Sequence, residues 1–181
     1  MATSQVLTCH IWLVDSDPPI WRQFQVSDRT LLADLHPILQ AVMGWQDSHL
    51  HQFQVQGQPY ANPASPPLEG TLDATTKTLA DFQFAPNETF AYTYDFGDGW
   101  LHQITVEASQ PAANKPAAPL CLTGDRACPP EDSGGVWGYE DLLERLNDPD
   151  DPEYEELLDW LGDFDPDKFD LQQINQQLSS Q

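Results

Sequence analysis

The sequence has few basic residues, few cysteines and no long apolar run, and each shortage excludes a class of protein. Lys and Arg number 7 against 29 Asp and Glu in 181 residues, so the formal net charge is −22. Nucleic-acid affinity and attraction to anionic membranes both depend on basic side chains. We therefore expect no direct binding of DNA or RNA and no membrane association. Basic proteins or divalent cations are the electrostatically natural partners.

The cysteines and the N-terminus point to the cytoplasm. Three cysteines are an odd, sparse set, and residues 1–6 lack the basic and apolar segments of a signal peptide. We expect reduced thiols and a cytoplasmic protein. No run of about 18 apolar residues offers a transmembrane helix.

The chain also lacks the local signatures of common enzymes. It contains no G-x-S-x-G, no Walker lysine motif, no dinucleotide fingerprint and no H-E-x-x-H. This absence favours a binding module over an enzyme, although it does not decide between them.

What the chain does have is enough apolar material for one core, since 40% of its residues are hydrophobic and 10% aromatic. Alternating residues predict strands at 5–14, 20–26, 51–55, 90–94 and 100–106. The first two should pair as a hairpin across the turn at residues 15–19, and Asp98-Gly99 predicts a second hairpin turn between the last two. Apolar residues three or four apart predict a helix over 32–43, interrupted by Pro37. Residues 57–88 predict a long loop with at most a short helix near Leu79–Phe82.

The C-terminal third predicts helices and holds most of the charge. Residues 121–181 contain 17 acidic and 3 basic residues. Asp151-Pro152 predicts one helix start, and Asp170 with Gln173 predicts another. The element order indicates an α+β fold. We expect an antiparallel or mixed sheet in a β-grasp-like order with one covering helix, plus a C-terminal helical tail.

The predicted organisation is a single domain in three parts. Residues 1–110 form a strand-helix-strand core with a hairpin, residues 111–120 form a Pro/Ala linker, and residues 121–181 form a loop and helical annex packed on the same domain.

A series of ordered motifs resembles a known family. The motifs include Pro19-Ile-Trp-Arg22, Met43-Gly-Trp45, His49-Leu-His51-Gln-Phe53, Tyr94-Asp-Phe-Gly-Asp-Gly-Trp-Leu-His102 and Gly124-Asp-Arg-Ala-Cys-Pro-Pro-Glu-Asp132. Together they are similar to the plasmid pRiA ORF-three-like family, whose members are often labelled transposon-element passenger, TnpR-like proteins. The resemblance implies a single α+β domain and no particular activity.

The resemblance also implies a metal set that this chain lacks in part. Family members often carry a further cysteine where this chain has Ser133, and histidines in the segment written here as residues 150–155. With the equivalents of Cys121 and Cys128 these look like metal ligands. The two thiols alone, with six residues between them, are too few and too loosely spaced for a structural zinc site, so they are weak metal candidates.

Histidines and carboxylates near the predicted hairpin form a candidate site. His51 and His102 lie on apolar strand faces, and Asp95 and Asp98 flank the turn. Two imidazoles and a carboxylate could hold a divalent metal with open positions. The alternative is that each histidine spans core and solvent, with its nitrogens bonded to backbone or Asp.

A second candidate is the loop at residues 129–135, whose prolines and glycines fix a rigid path that presents two carboxylates. It either recognises a ligand or positions the following helix. The full set of tentative binding residues comprises His49, His51, Asp95, Asp98, Trp100, His102, Glu131 and Asp132.

Three functions follow as hypotheses. The first is a cytoplasmic, non-enzymatic binding or interaction module associated with mobile-element genes, without a resident cofactor. The second is a metal-dependent, hydrolase-like enzyme that uses the histidines and aspartates near the predicted hairpin. The third is an acidic decoy that binds basic DNA-binding proteins in place of DNA.

Overall fold

The computed structural model describes residues 4–63, 68–113 and 118–180. Eight strands, four α-helices and two short 3₁₀ helices follow one another in these residues. Their bounds are β1 Gln5–Leu13, β2 Trp21–Ser27, α1 Leu32–Met43, β3 His51–Val55, β4 Gln58–Ala61, β5 Leu72–Asp73, 3₁₀ helices Ala74–Thr76 and Leu79–Phe82, β6 Glu88–Tyr94, β7 Trp100–Pro111, β8 Leu120–Asp125, α2 Gly135–Leu146, α3 Tyr154–Leu161 and α4 Leu171–Ser179.

The strands form one sheet in the order β5-β4-β3-β6-β7-β1-β2-β8. All neighbours are antiparallel except β4 and β5. The two predicted hairpins are confirmed: Trp12 lies opposite Trp21 in the first, and Tyr94 lies opposite Trp100 in the second. The turn between β6 and β7 is where the Asp-Gly pair predicted it.

Alternation along the strands builds the core on one side of the sheet. On β1 and β2, buried Ile11 and Phe24 alternate with half-buried neighbours. Helix α1 covers this side and shares its core, and Ile174 and Leu178 of α4 belong to the same cluster. The opposite side of the sheet is the wetter one, as expected for an antiparallel sheet.

Helix α1 runs through Pro37 because another segment supplies a missing donor. Proline has no N–H, so the carbonyl of Ala33 loses its helical partner. The side chain of Asn62 donates to this oxygen at 3.2 Å. The helix ends at Gly44, which adopts φ 113°.

A buried arginine joins α1 to the sheet. Arg22 on β2 is 2% exposed, and its guanidinium donates to the carbonyls of Val42, Met43, Asp125 and Trp21. The first two carbonyls lie at the C-terminal end of α1, where a cation is favoured by the helix dipole.

Helix α4 closes the edge of the sheet. It packs against β8 and α1. The side-chain amide of Asn175 accepts from the backbone N–H of Cys121 at 2.8 Å and donates to the carbonyl of the same residue at 3.0 Å. A side chain thus pairs with the edge strand as a ninth strand would.

The mixed α+β prediction is confirmed, but its finer description is not. The β-grasp-like order with a single covering helix does not describe a sheet of eight strands in which β1 pairs with β2 and β7 and in which α4 also contributes to the core. The segment predicted as a loop over 57–88 contains two short strands and two 3₁₀ helices, one of them at Leu79–Phe82.

Parts of two predicted segments lie outside the described residues: 64–67 of the loop and 114–117 of the linker. The three-part organisation of the chain stays a prediction. No helix among the described residues is long and apolar enough to cross a membrane.

Candidate functional site

Two segments far apart in sequence meet beside the β6–β7 turn. The backbone N–H of Gly134 donates to Asp98 Oδ2 at 3.0 Å. Gly135 adopts φ 73°, and a Cβ at this position would lie 2.4 Å from the carbonyl oxygen of Asp98. Only glycine permits this approach, so the 129–135 loop is fixed against the hairpin turn.

A pocket rich in carboxylates forms where these segments meet. His49 Nε2 lies 3.6 Å from Asp95 Oδ2, 3.8 Å from Glu131 Oε2 and 3.1 Å from Asp132 Oδ1. The Asp95 and Glu131 side chains are 10% and 12% exposed, whereas that of Asp132 is 73% exposed. The pocket therefore has a buried floor and one open side. We call these four residues the anionic pocket.

Hydrogen bonds orient the buried carboxylates. Glu131 Oε1 accepts from the backbone N–H of Gln46 at 2.8 Å and from the hydroxyl of Tyr94 at 3.0 Å. Asp95 has φ 55°, and its Oδ1 accepts from the N–H of Gly97 at 2.9 Å. In each carboxylate one oxygen is occupied and the other faces the pocket.

Two pocket atoms have no hydrogen-bond partner among the described residues. They are His49 Nε2 and Glu131 Oε2, and neither is accessible to solvent. Asp132 Oδ1 is close to His49 Nε2, but the contact lacks hydrogen-bond geometry. Leaving a buried polar atom unpaired costs about 1–3 kcal/mol. A bound water or a cation between these atoms would supply the missing partner.

The distances suit a divalent metal. Metal–ligand bonds of about 2.0–2.2 Å separate neighbouring ligand atoms by about 3.0–3.5 Å. The three separations from His49 Nε2 lie within about 0.3 Å of that range. The ligating atoms of His49, Asp95 and Asp132 all lie within 4.8 Å of one another, and Glu131 lies beside this group without belonging to it. Imidazole with carboxylates is a donor set for Zn²⁺ or Mn²⁺.

The predicted residues divide between this pocket and the core. His49, Asp95, Glu131 and Asp132 come together, and Asp98 lies beside them as the partner of Gly134. His51, Trp100 and His102 lie in the core instead.

His102 is a structural residue. It is fully buried, and its Nε2 accepts from the indole N–H of Trp45 at 3.1 Å, while its Nδ1 lies 3.2 Å from the carbonyl of Tyr92. This arrangement requires a neutral ring protonated on Nδ1. Burial lowers the pKa of His102 to about 4.

His51 stacks on a second buried histidine. The rings of His36 and His51 are parallel within 5°, with centroids 3.5 Å apart. Burial, and then the neighbouring His36, lower the pKa of His51 to about 4. Within the described chain, no group of three metal-ligating side chains includes His51 or His102.

The thiols lie apart from the anionic pocket's ligand set. Cys121 is buried on β8 with its sulfur near the carbonyls of Gln23 and Thr123, and Cys128 packs against Gly44. Burial raises the pKa of both thiols. No three-residue ligand group in the described ranges contains either of them.

Sequence reasoning missed the residues that position the pocket. Tyr94 and Gln46 hold Glu131, but the sequence predicts only a strand position for Tyr94 and no role for Gln46. The adjacency of Tyr94 to Asp95 was a usable signal, because neighbouring strand residues at a turn often share a site. The long-range contact from Gln46 to Glu131 left no local pattern.

The fold and the pocket define a mixed α+β protein with a preorganised anionic site on one side of its sheet. The sequence profile described as "Plasmid pRiA4b ORF-3-like protein" matches residues 5–173, and the chain belongs to this family.

Two relatives resemble the chain over nearly its whole length. The "Uncharacterized protein y4hQ" of Sinorhizobium fredii is 35% identical over 175 residues, covering 95% of this chain and 90% of the relative. The crystal structure of the protein of unknown function MM3350 from Methanosarcina mazei Go1 superimposes with a TM-score of 0.77. It is 37% identical and covers 94% of this chain and 97% of that one.

Proposed function

We propose that the protein is a binding module whose anionic pocket holds a divalent metal ion. The observation that carries the proposal is the pair of buried, unpartnered atoms, His49 Nε2 and Glu131 Oε2, which face each other at 3.8 Å. A cation between them would satisfy both atoms and offset the repulsion among three carboxylates.

The pocket would favour small hard cations over organic ones. Its two buried carboxylates are held in place by hydrogen bonds, so their free oxygens are fixed before a ligand arrives. Preorganisation of this kind lowers the cost of binding. The exposed Asp132 supplies the remaining oxygen from the open side.

Metal binding is tested by titrating the purified, chelator-treated protein with Mn²⁺ or Zn²⁺ in a calorimeter. We expect one ion per chain and an increase in thermal stability with metal concentration. His49→Gln should weaken binding about 100-fold or more, because it removes the only nitrogen ligand. Asp95→Asn, which removes a buried charge while keeping the side-chain shape, should weaken it similarly.

The matched control is His10→Gln, which makes the same substitution on the opposite side of the sheet. It should leave metal binding unchanged. Absence of binding at about 1 mM of either ion, or binding that neither His49→Gln nor Asp95→Asn affects, would contradict the proposal.

A hydrolytic role is the second candidate. It is supported by the open side of the pocket, where Asp132 is 73% exposed, because a metal there would keep positions for water and substrate. Metal-dependent cleavage of a phosphoester that disappears in His49→Gln would favour this role over simple binding.

The remaining functional hypotheses rest on charge and on the family. Residues 121–181 contain 17 acidic and 3 basic residues, which supports binding of a basic protein, including a decoy role for basic DNA-binding proteins. Such binding should weaken steeply as the salt concentration rises. The plasmid origin in the family's description supports an association with mobile-element genes. A cytoplasmic location rests on the sparse cysteines.

A further inference from the structure

Three aromatic side chains in the described part of the chain are largely exposed. They are Phe96, Trp137 and Trp160, with exposed fractions of 46%, 73% and 54%. A fully covered side chain of this kind buries about 150–250 Å², so the three together leave about 300–400 Å² of aromatic surface in water. Single exposed apolar residues are ordinary, whereas several aromatic residues around one site are typical of an interface.

Two of these residues adjoin the contact that joins the β6–β7 turn to the start of α2. Phe96 directly follows Asp95 of the anionic pocket. Trp137 lies in the first turn of α2, two residues after Gly135, which packs against the carbonyl of Asp98. Both aromatic residues therefore belong to segments that build the anionic pocket.

The third aromatic residue, Trp160, lines a cleft that adjoins the anionic pocket. The cleft has a volume of about 450 Å³, and Glu131 and Asp132 form part of its wall. Apolar side chains, among them Pro129 and Phe164, form most of the remaining wall. No Lys or Arg from the described ranges lines it. We call this cleft the tryptophan cleft.

The surroundings of the tryptophan cleft are strongly acidic. Residues 147–165, which include α3, contain nine acidic residues and no basic residue. A divalent ion in the anionic pocket would not reverse the local charge, because Asp95, Glu131 and Asp132 supply three negative charges against its two. This surface therefore attracts cations and repels anions whether or not a metal is bound.

We propose that the tryptophan cleft, together with Phe96 and Trp137, binds a short basic segment of another protein in which arginine alternates with apolar residues. The inference rests on the binding of a basic protein proposed above, to which it adds a location and a chemical type. Charge complementarity favours arginine, whose guanidinium group can pair with carboxylates and stack on the face of Trp160. The apolar residues of the segment would cover the exposed aromatic rings.

The size of the surface favours a short segment over a folded domain. An interface between two folded proteins covers about 800 Å² on each partner, roughly twice the exposed aromatic area. A small cation such as a polyamine would satisfy the charge but leave the aromatic side chains in water. A segment with both cationic and apolar side chains covers both kinds of surface.

The test is a calorimetric titration of the full chain with the peptide acetyl-(Arg-Leu)₄-amide in about 0.15 M NaCl. We expect a dissociation constant of about 10–100 µM. The peptide acetyl-(Arg-Gly)₄-amide has the same charge without the apolar side chains, and it should bind at least about fivefold more weakly. The peptide acetyl-(Glu-Leu)₄-amide, which reverses the charge, should not bind.

Substitutions of exposed residues locate the binding surface. Phe96→Ala and Trp160→Ala each remove one aromatic ring without changing the net charge, and each should weaken binding of the Arg-Leu peptide about fivefold or more. Leu50→Ala and Leu72→Ala are a matched pair, since these leucines are 50% and 46% exposed. Only Leu50 adjoins the anionic pocket, directly after His49. Leu50→Ala should weaken binding about twofold or more, and Leu72→Ala, on the edge strand β5, should leave it unchanged.

Thermal unfolding of each variant checks that the fold is retained. Equal affinity for the two arginine peptides would overturn the proposal, because the attraction would then depend on charge alone. Binding that neither Phe96→Ala nor Trp160→Ala weakens would overturn the location while leaving the binding of a basic protein intact. Absence of binding at about 1 mM peptide would contradict both.

Metal binding is kept separate by performing the titration once with a chelator and once with saturating Mn²⁺. The peptides that contain arginine have no imidazole or carboxylate, so they do not compete with the protein for the ion. Peptide binding without metal binding would refute only the metal site, and metal binding without peptide binding would refute only the proposed segment.

Discussion

The buried His102 should make the fold sensitive to acid. The ring is fully buried and accepts a hydrogen bond from Trp45 through Nε2, so protonation would break that bond and place a charge in the core. Burial lowers the pKa of His102 from 6.5 to about 4 in the folded state.

The sign and size follow from proton linkage. Between these two pKa values the unfolded chain binds a proton at His102 that the folded chain does not bind. The contribution of the neutral ring to the free energy of unfolding is fully present above pH 6.5 and is lost as the pH falls toward 4. The loss at pH 5 is about 2 kcal/mol relative to pH 7.5, and it approaches about 3 kcal/mol at lower pH.

Urea unfolding at about pH 7.5 and pH 5 measures this contribution. His102→Gln should lower the free energy of unfolding at both pH values. The further decrease from pH 7.5 to pH 5 should be about 2 kcal/mol smaller in this variant than in the wild type. Val106→Ala, which creates a cavity at a buried position of the same strand, should keep the wild-type pH dependence. If His102→Gln and the wild type lose the same stability between the two pH values, the assignment of a neutral buried ring is refuted.

Two further substitutions test how the site and α1 are assembled. Gly135→Ala should cost about 2–4 kcal/mol and weaken metal binding, because the methyl group would overlap the carbonyl of Asp98. Gly57→Ala, at φ 77° with nothing within 4 Å, should cost only about 1 kcal/mol, and equal losses in urea unfolding would disprove the steric argument. Asn62→Ala should cost about 1–2 kcal/mol by leaving the Ala33 carbonyl unpaired; thermal unfolding measures this, and an unchanged midpoint would contradict it.

Local patterns predicted much of the fold. Alternation and the Asp98-Gly99 pair located both hairpins, since strand pairing over a short turn is decided by neighbouring residues. The same holds for the N-cap of α4, where the N–H of Gln173 donates to Asp170 Oδ1 at 2.9 Å. These features need no information from elsewhere in the chain.

The start of α3 lies slightly beyond its predicted position. Asp151-Pro152 predicts a start, and α3 begins at Tyr154. The Asp151 carboxylate accepts from the backbone N–H of Glu153 at 2.8 Å and from Arg145 Nε at 3.1 Å. Asp151 therefore does bind the backbone at this helix start, and its ion pair with Arg145 of α2 is a contact that no local pattern predicts.

The anionic pocket was predictable by residue type but not by grouping. His49, Asp95, Glu131 and Asp132 all belonged to the tentative binding set, because carboxylates and imidazoles near turns are typical of sites. Their separation from His51 and His102 could not be predicted, since it depends on how deep β3 and β7 lie in the sheet. The joining of the 129–135 loop to the hairpin turn is a tertiary contact without a local signal.

The pairing of Asn175 with the backbone of Cys121 protects the edge of the sheet from pairing with strands of other chains. Unpaired strand borders invite further strands and lead to open-ended fibrils. The amide cover at one border, and the two-residue length of β5 at the other, block growth in the plane of the sheet. Addition of a further chain's strands at either border of the sheet is therefore opposed.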